Sequence, residues 1–190
     1  IASASVLRSF DPPIDAVEGT RVVDVERLGK RIVLAHSDEL FVVIHPMIAG
    51  RLRWWDAGAD VKRTKITHST FWFETGALQL TEANSRKRAT IHVERGRAAL
   101  ATHDRGGLEI DAIDLATFTE RLRSENHTLK RSLSDPRLFS GIGNAYSDEI
   151  LHRAALSPLH WSSRLDDEHV ARLFEAVSYT HLTLPTKLAV

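Results

Sequence analysis

The chain has 190 residues, of which 43% are hydrophobic and 26% charged, which is typical of folded globular domains and excludes a mostly disordered or membrane-embedded chain. Its 25 basic and 25 acidic residues balance, so a nucleic-acid-binding surface would require local segregation of charge. The absence of cysteine excludes disulfides and thiolate zinc sites, and the ten histidines show no metal-ligand spacing, so we expect no metal or cofactor. No apolar run reaches the roughly 18 residues of a membrane helix, so we expect a cytoplasmic protein without a membrane partner.

The first half of the chain is predicted to be rich in β-strands. Short runs of β-branched and aromatic residues, separated by turn residues, extend from Arg21 to about Val93. The predicted strands are RVVDVERL, RIVLAHS, LFVVIHP, THSTFWFE and LQLTEA. Because no helical segment lies between them, an antiparallel arrangement is favoured over a parallel sheet. We therefore predict an N-terminal antiparallel β-sandwich domain over residues 1–112.

The second half is predicted to be helical, which makes the fold class α+β. Leu115, Phe118 and Leu122 recur at helical spacing, and Asp114 precedes them as a candidate N-cap. Three further helices are predicted, around Leu129–Leu133, from Asn144 toward Ala155, and from Asp166 to Val177. The pattern thus indicates a separate helical domain over residues 113–177.

The last thirteen residues, SYTHLTLPTKLAV, break the amphipathic pattern of the preceding helix. We expect that helix to end at Val177 or Ser178. The segment resembles the translated read-through of a sequencing adapter, so we interpret residues 178–190 as a non-native tail that packs poorly. A native disordered tail is the alternative interpretation.

A glycine-containing turn, Gly141-Ile142-Gly143-Asn144, lies between two of the predicted helices. Glycines let the backbone approach a ligand closely, and the N–H groups at a helix start favour a phosphate. The Asn144 side-chain amide can bond the same phosphate. An ordinary glycine C-cap followed by an asparagine N-cap explains the same residues, so the turn alone leaves both interpretations open.

The longer run from Asn126 to Pro158 resembles the helix-two-turn-helix of the formamidopyrimidine-DNA glycosylase and endonuclease VIII family. The family core Gly-(Val/Ile)-Gly-Asn-x-Tyr-x-x-Glu is matched by Gly141 through Glu149. The segment from Arg27 to Trp54 resembles the family's Arg-x-x-Lys strand and the His-x-x-Met-x-Gly-x-Leu segment that follows it. The resemblance implies an N-terminal β-sandwich followed by a helix-two-turn-helix DNA-binding domain.

The resemblance also implies an activity and a partner. Members of the family are bifunctional DNA glycosylases, that is N-glycosyl hydrolases with apurinic-site lyase activity, which act in base-excision repair. They remove oxidised bases from damaged double-stranded DNA and nick the strand by elimination. We accordingly expect a monomer that works at the nucleoid. A non-catalytic nucleic-acid-binding module that uses the helix-two-turn-helix alone is the alternative, and the choice between oxidised purines and pyrimidines stays open.

Several roles follow from the resemblance. Lys30 corresponds to the family's strand lysine beside the scissile nucleotide, where an ammonium group can stabilise negative charge and deliver a proton, so we expect it to be catalytic. Gly143 and Asn144 are expected to bind phosphate. Lys130, which precedes the turn, is expected to contact phosphate as well.

Two further segments are expected to touch DNA. Arg86 or Arg88, in the basic run SRKR, would lie opposite the orphaned base, although a plain solvated charge run is the alternative. Met47 stands one place earlier than the methionine of the family pattern, so either Met47 or Ile48 would fill the space left by the extruded base. Packing of both inside the sandwich core is the competing interpretation.

Two parts implied by the resemblance are absent from the sequence. Family chemistry begins with an N-terminal proline followed by glutamate, whereas this chain begins with Ile1. The family's zinc finger needs four cysteines, and the chain has none. We therefore expect a chain shortened at both ends, without the zinc of the family and inactive by itself.

Overall fold

Strands and helices segregate along the chain, as the sequence pattern predicts. The structure, a computed structural model, describes residues 7–9, 11–110 and 113–183, the last three of them by backbone alone. Two compact units divide between His103 and Asp104. The domain boundary predicted near residue 112 falls at residues 111 and 112, which lie outside the described residues.

Besides two 3-10 turns, the described part of the first unit contains seven strands and one short α-helix. These are β1 (Val22–Leu28), β2 (Arg31–His36), β3 (Leu40–His45), β4 (Gly50–Asp56), β5 (Thr67–Phe73), β6 (Gly76–Glu82), β7 (Thr90–Arg95) and α1 (Arg97–Ala101). One sheet has the strand order β1-β2-β3-β7 and the other β4-β6-β5. All pairings between these strands are antiparallel, which confirms the predicted arrangement.

The core of this unit lies between the two sheets. Leu34, Ile44 and Ile91 from the larger sheet and Leu80 from the smaller one belong to one buried cluster. Val43 and its neighbours on the opposite face of the larger sheet form a second cluster with Leu100 of α1. Because β3 is covered on both faces, its sequence LFVVIH is an uninterrupted apolar run instead of an alternating one.

Strands β4 and β7 were not predicted. In β4, arginines alternate with partly buried residues, and only Gly50 is fully buried. Such a strand has little apolar signal, because one of its faces is solvated. Its place in the sheet comes from its pairing with β6, which runs from the Gly50–Glu82 pair to the Asp56–Gly76 pair.

The second unit is helical, and its first helix starts at Leu115, where the sequence pattern predicts a helix start. Its helices are α2 (Leu115–Arg123), α3 (Leu129–Ser134), α4 (Asn144–Arg153) and α5 (Asp167–Thr183). The Asp114 carboxylate accepts a hydrogen bond from the backbone N–H of Thr117 at 2.8 Å, which confirms the N-cap. The rings of Phe118 and Phe139 lie 4.9 Å apart in the centre of the core, where side chains from all four helices meet.

The predicted end of the last helix at Val177 or Ser178 is wrong, because α5 continues to Thr183. Thr180 is buried, and its hydroxyl donates to the Ala176 carbonyl at 2.7 Å. The buried face of α5 therefore continues through a threonine, which lacks the apolar character by which a sequence pattern identifies a buried position. Tyr179 is half exposed and carries the Arg153 guanidinium 3.3 Å above its ring. Residues 184–190 lie outside the described residues, so the non-native origin of the tail stays a prediction.

No helix in the described part of the chain combines the length and the apolar character that crossing a membrane requires. The longest helix, α5, has 17 residues and includes charged side chains such as Asp167 and Glu168 in its first turn. Its apolar stripe instead packs within the core of the second unit.

Candidate functional site

Strand register brings two of the predicted site segments together at one end of the first unit. β3 ends beside the start of β7, where His45 pairs with Thr90. β4 starts beside the end of β6, where Gly50 pairs with Glu82. The β3–β4 turn and the β6–β7 connection therefore run side by side from one sheet to the other.

Lys30 lies at the same end of the larger sheet. Gly29 and Lys30 form the two-residue turn between β1 and β2, and Gly29 adopts the left-handed conformation with φ 59°. Ile32, near the start of β2, pairs with Ile44, near the end of β3. The turn that carries Lys30 is consequently a neighbour of the β3–β4 turn, and the predicted catalytic lysine is an exposed turn residue that precedes its strand.

The surroundings lower the pKa of both Lys30 and His45. Burial of the charged end holds the pKa of Lys30 below its ordinary value of 10.5, although much of the residue is exposed. Burial also lowers the pKa of His45, and the charges of Arg31 and Lys30 lower it further. A lysine that releases its proton more readily is better suited to proton transfer near neutral pH. The sequence pattern gives no sign that the charge of Lys30 acts on His45.

The β3–β4 turn presents Met47 and Ile48 to solvent. Ile48 is 80% exposed and Met47 44% exposed, so the interpretation that both pack in the sandwich core is wrong. Met47 adopts the left-handed conformation, with φ 57°, which few non-glycine residues do. The turn closes tightly, because the Gly50 N–H donates to the Pro46 carbonyl at 2.9 Å and a Cβ at Gly50 would overlap that carbonyl oxygen.

Arg86 and Arg88 are exposed in the β6–β7 connection, residues 83–89, which we call the basic loop. The loop is folded around Glu82, whose carboxylate is 1% exposed and accepts hydrogen bonds from the backbone N–H groups of Arg88 at 3.0 Å and Ala89 at 3.2 Å. The Nε2 of His68, on β5, lies 3.1 Å from the same carboxylate. Burial by itself would raise the pKa of Glu82, but these hydrogen bonds outweigh it and hold the pKa below its ordinary value.

In the second unit, the predicted phosphate-binding residues surround the start of α4. Gly141 has φ 82°, and Gly143 is extended and serves as the N-cap of the ten-residue helix. A glycine N-cap offers no side-chain acceptor to the first-turn N–H groups. Asn144, the first helical residue, is exposed, so its amide and its backbone N–H lie at the positive end of the helix dipole.

Lys130 lies beside this helix start. Its Nζ donates to the Asn144 carbonyl at 2.9 Å and forms an ion pair with Asp148. The ion pair partly neutralises the charge that was expected to meet a phosphate. The structure therefore brings Lys130, Gly143 and Asn144 together in the second unit, while Lys30, Met47, Ile48, Arg86 and Arg88 gather in the first.

Family models match both halves of the chain. The model described as the formamidopyrimidine-DNA glycosylase N-terminal domain matches residues 2–91, and the one described as the formamidopyrimidine-DNA glycosylase H2TH domain matches residues 108–182. The first match covers Lys30, the β3–β4 turn and the basic loop. The second covers the α3–α4 turn. The two matches follow each other in chain order and leave few residues between them.

Curated relatives agree with this result. The formamidopyrimidine-DNA glycosylase of Heliobacterium modesticaldum is 30% identical over 168 residues, which are 86% of this chain and 60% of that protein. The formamidopyrimidine-DNA glycosylase of Oceanobacillus iheyensis is 32% identical over 161 residues, or 83% of this chain and 56% of that protein. The chain thus spans about 60% of the length of the curated relatives it matches.

Solved structures share the fold. The Lactococcus lactis FPG (MutM), determined in a complex with FAPY-dG containing DNA, superposes with a TM-score of 0.83 at 23% identity, covering 96% of this chain and 70% of that one. A MutM in complex with carbocyclic 8-oxo-G containing DNA gives a TM-score of 0.80 at 23% identity, covering 92% of this chain and 66% of that one. Taken with the family-model matches and the curated relatives, these findings show that the chain belongs to the formamidopyrimidine-DNA glycosylase family.

Proposed function

We propose that the protein is a base-excision-repair DNA glycosylase and apurinic-site lyase that removes oxidised bases from damaged double-stranded DNA. The observation that carries the proposal is the gathering of Lys30, the β3–β4 turn and the basic loop at one end of the first unit. A cation for the scissile phosphate, an apolar wedge and a guanidinium for the orphaned base are the groups that base extrusion and cleavage require.

Lys30 is the residue of this chain that we assign to the chemistry. Its ammonium group stabilises negative charge at the phosphate beside the damaged nucleotide and delivers a proton to the sugar oxygen or leaving group. The lowered pKa from burial favours this proton transfer. In the family the attacking amine belongs to an N-terminal proline, which displaces the base and forms an imine before elimination nicks the strand. We infer that these 190 residues alone release no base, because none of their prolines is followed by glutamate.

Ile48 is our choice for the wedge. It is 80% exposed at the tip of the turn, whereas Met47 is held in the left-handed conformation and exposes about half as much of its surface. Ile48 also stands three residues after His45, as the methionine of the family pattern does. An apolar side chain inserted into the stack holds the duplex open while the nucleotide is turned out. Arg86 and Arg88, both exposed, then face the orphaned base.

Asn144 and Gly143 supply the phosphate site of the second unit. Their amides lie at the start of α4, where the helix dipole favours an anion. Lys130 contributes less charge than expected because of its ion pair with Asp148, and its hydrogen bond to the Asn144 carbonyl instead holds the helix start in place. These contacts position the duplex and carry no sequence information.

We further propose that the protein works as a monomer on nucleoid DNA in the cytoplasm, the place where its substrate lies. A nucleic-acid-binding module that uses only the helix-two-turn-helix is not favoured, because residues 2–91 match the glycosylase N-terminal domain as well. A module of that kind would not need Lys30 or the exposed Ile48. The 190 residues include no cysteine and hence none of the thiolates of the family's zinc site.

The first test measures binding of the 190-residue chain to a duplex that contains a stable abasic analogue and to an intact duplex. Asn144→Ala should weaken both by about 1–3 kcal/mol, because a hydrogen bond to a charged phosphate is lost. Asn126→Ala, the same change at an exposed residue before α3, is the control and should leave binding unchanged. Equal affinities of the Asn144→Ala variant and the unmodified chain would contradict the phosphate site.

The second test measures chemistry by borohydride trapping of the imine on oxidised duplex. The 190-residue chain should form no trapped complex, and a full-length protein, made by completing the chain with the family's proline-glutamate terminus and zinc finger, should form one. In that full-length protein, Lys30→Ala should lower single-turnover base release more than it lowers binding, while Lys65→Ala, at an exposed lysine before β5, should change neither. A trapped complex at Ile1, or full activity of the Lys30→Ala variant, would overturn the proposed mechanism.

A further inference from the structure

A cluster of three potential metal ligands lies outside the site described above. His92 and Glu94 stand two residues apart on β7 and therefore point to the same face of the larger sheet. They pair with Val43 and Phe41, which belong to the buried cluster that includes Leu100 of α1. His103 follows α1 and reaches the same place. The chain thus leaves β7, forms α1 over this face, and brings the His103 imidazole back to β7.

The ligand atoms of the three side chains converge. The Nε2 of His103 lies 2.8 Å from the Oε1 of Glu94, and the Nδ1 of His92 lies 4.0 Å from the same oxygen. All three ligand atoms lie within 4.8 Å of one another, and the two imidazole rings are 4.8 Å apart in an edge-to-face arrangement. Shifts of about 1 Å would place the three atoms on one tetrahedral ion with bonds of about 2.0–2.2 Å.

We propose that His92, Glu94 and His103 form a zinc-binding site. Two imidazole nitrogens and one carboxylate oxygen are a ligand set that Zn²⁺ takes with water in the fourth position. The three side chains are partly buried, with exposures of 27%, 19% and 11%, so much of their surroundings is fixed before an ion arrives. The sequence pattern did not reveal the site. His92 and Glu94 alternate along β7 and His103 follows only after α1, and this spacing matches no common metal-binding motif.

The charges around the cluster set the strength of the site. Burial lowers the pKa of His92, and the nearby His103 lowers it further. The negative charge of the Glu94 carboxylate attracts a cation to the cluster. The positive charges of Arg31 and Arg8, which lower the pKa of His92, repel one. Arg31 is itself held at the His103 carbonyl, at 3.2 Å. We therefore expect micromolar affinity, with the ion fastening the end of α1 to β7.

The experiment titrates Zn²⁺ into the metal-stripped 190-residue chain by calorimetry and records the visible spectrum with Co²⁺. The chain has no cysteine, so no thiolate contributes to either signal. One equivalent should bind with micromolar affinity and raise the melting temperature. His92→Gln and His103→Gln should each weaken binding about tenfold or more, because each removes one of three ligands.

The matched control is His169→Gln. His169 also contacts a carboxylate, that of Asp166 at 2.5 Å, but no third ligand group among the described residues completes that pair. This variant should bind Zn²⁺ as the unmodified chain does. Circular dichroism of each variant without metal separates loss of ligand from loss of fold, and His92→Ala with His103→Ala provides a second pair if a glutamine variant fails to fold. No binding, or equal binding by every variant, would overturn the site.

Discussion

The basic loop should depend on one buried carboxylate, that of Glu82. The carboxylate is 1% exposed, and its two oxygens accept the backbone N–H groups of Arg88 and Ala89 as well as a contact from the Nε2 of His68. The ammonium group of Lys87 also bonds the Glu82 backbone carbonyl. Glu82→Gln keeps the size of the side chain but replaces one accepting oxygen by a donor. We expect this change to loosen the whole loop.

The magnitude follows from the contacts. The Arg88 backbone nitrogen lies 3.0 Å from each carboxylate oxygen, so either orientation of a glutamine amide places an NH2 donor beside the Arg88 N–H. Hydrogen bonds to charged groups contribute about 1.5–3 kcal/mol each, and Gln can still accept the remaining bond, so Glu82→Gln should cost about 2–3 kcal/mol of the free energy of unfolding. Glu82→Ala removes every acceptor and should cost about 3–5 kcal/mol.

The contribution of Glu82 should also depend on pH. Burial acts to raise its pKa, but the hydrogen bonds from Ala89, Arg88 and His68 prevail and lower the pKa in the folded state. A lowered pKa means that the folded chain binds the proton more weakly than the unfolded chain does. The stabilisation is thus complete well above the ordinary value of 4.5 and is lost as the pH falls below it, through the folded pKa. Glu82→Gln should remove this part of the acid sensitivity.

Urea unfolding followed by circular dichroism measures the free energy, and amide hydrogen exchange of Arg88 and Ala89 measures the loop directly. Glu74→Gln is the matched control, because Glu74 is exposed in the turn before β6 and its substitution should change the free energy of unfolding by less than about 0.5 kcal/mol. If Glu82→Gln unfolds at the same urea concentration as the unmodified chain and the two amides exchange at unchanged rates, Glu82 does not hold the loop in place.

Three further predictions concern single positions. Ala155, two residues after the end of α4, adopts the left-handed conformation with φ 51°, so Ala155→Gly should raise the free energy of unfolding by about 0.5–1 kcal/mol, whereas Ala145→Gly inside α4 should lower it similarly. Ile48→Ala should slow single-turnover base release by the full-length protein about tenfold, and Met47→Ala should slow it less. Lys130→Ala should change the slope of log affinity against log salt by less than the roughly 0.9 of one phosphate contact, since Asp148 already neutralises part of its charge.

The helical half could be predicted in detail because its signals are local. Asp114 caps α2 through a hydrogen bond three residues along the chain, and the apolar stripe of Phe118 and Leu122 repeats at the helical period.

Glu82 shows what a local signal can miss. It occupies the same face of β6 as Leu78 and Leu80, which strand alternation reveals, but its hydrogen-bond partners lie on β5 and in the basic loop. Only the folded structure, which places β5 and the basic loop around this position, shows that the buried carboxylate has hydrogen-bond partners.

The β3–β4 turn shows why the two candidate wedge residues could not be separated from the sequence. By residue type Met47 matches the family pattern, and by spacing Ile48 does; the sequence alone has no means to weigh one against the other. Backbone geometry favours Ile48, because Met47 adopts the left-handed conformation within a tight turn that the Gly50–Pro46 hydrogen bond closes. Its side chain is then half covered, while Ile48, next along the chain, projects into solvent. The conformation of Met47 thus supports the proposal that Ile48 is the wedge.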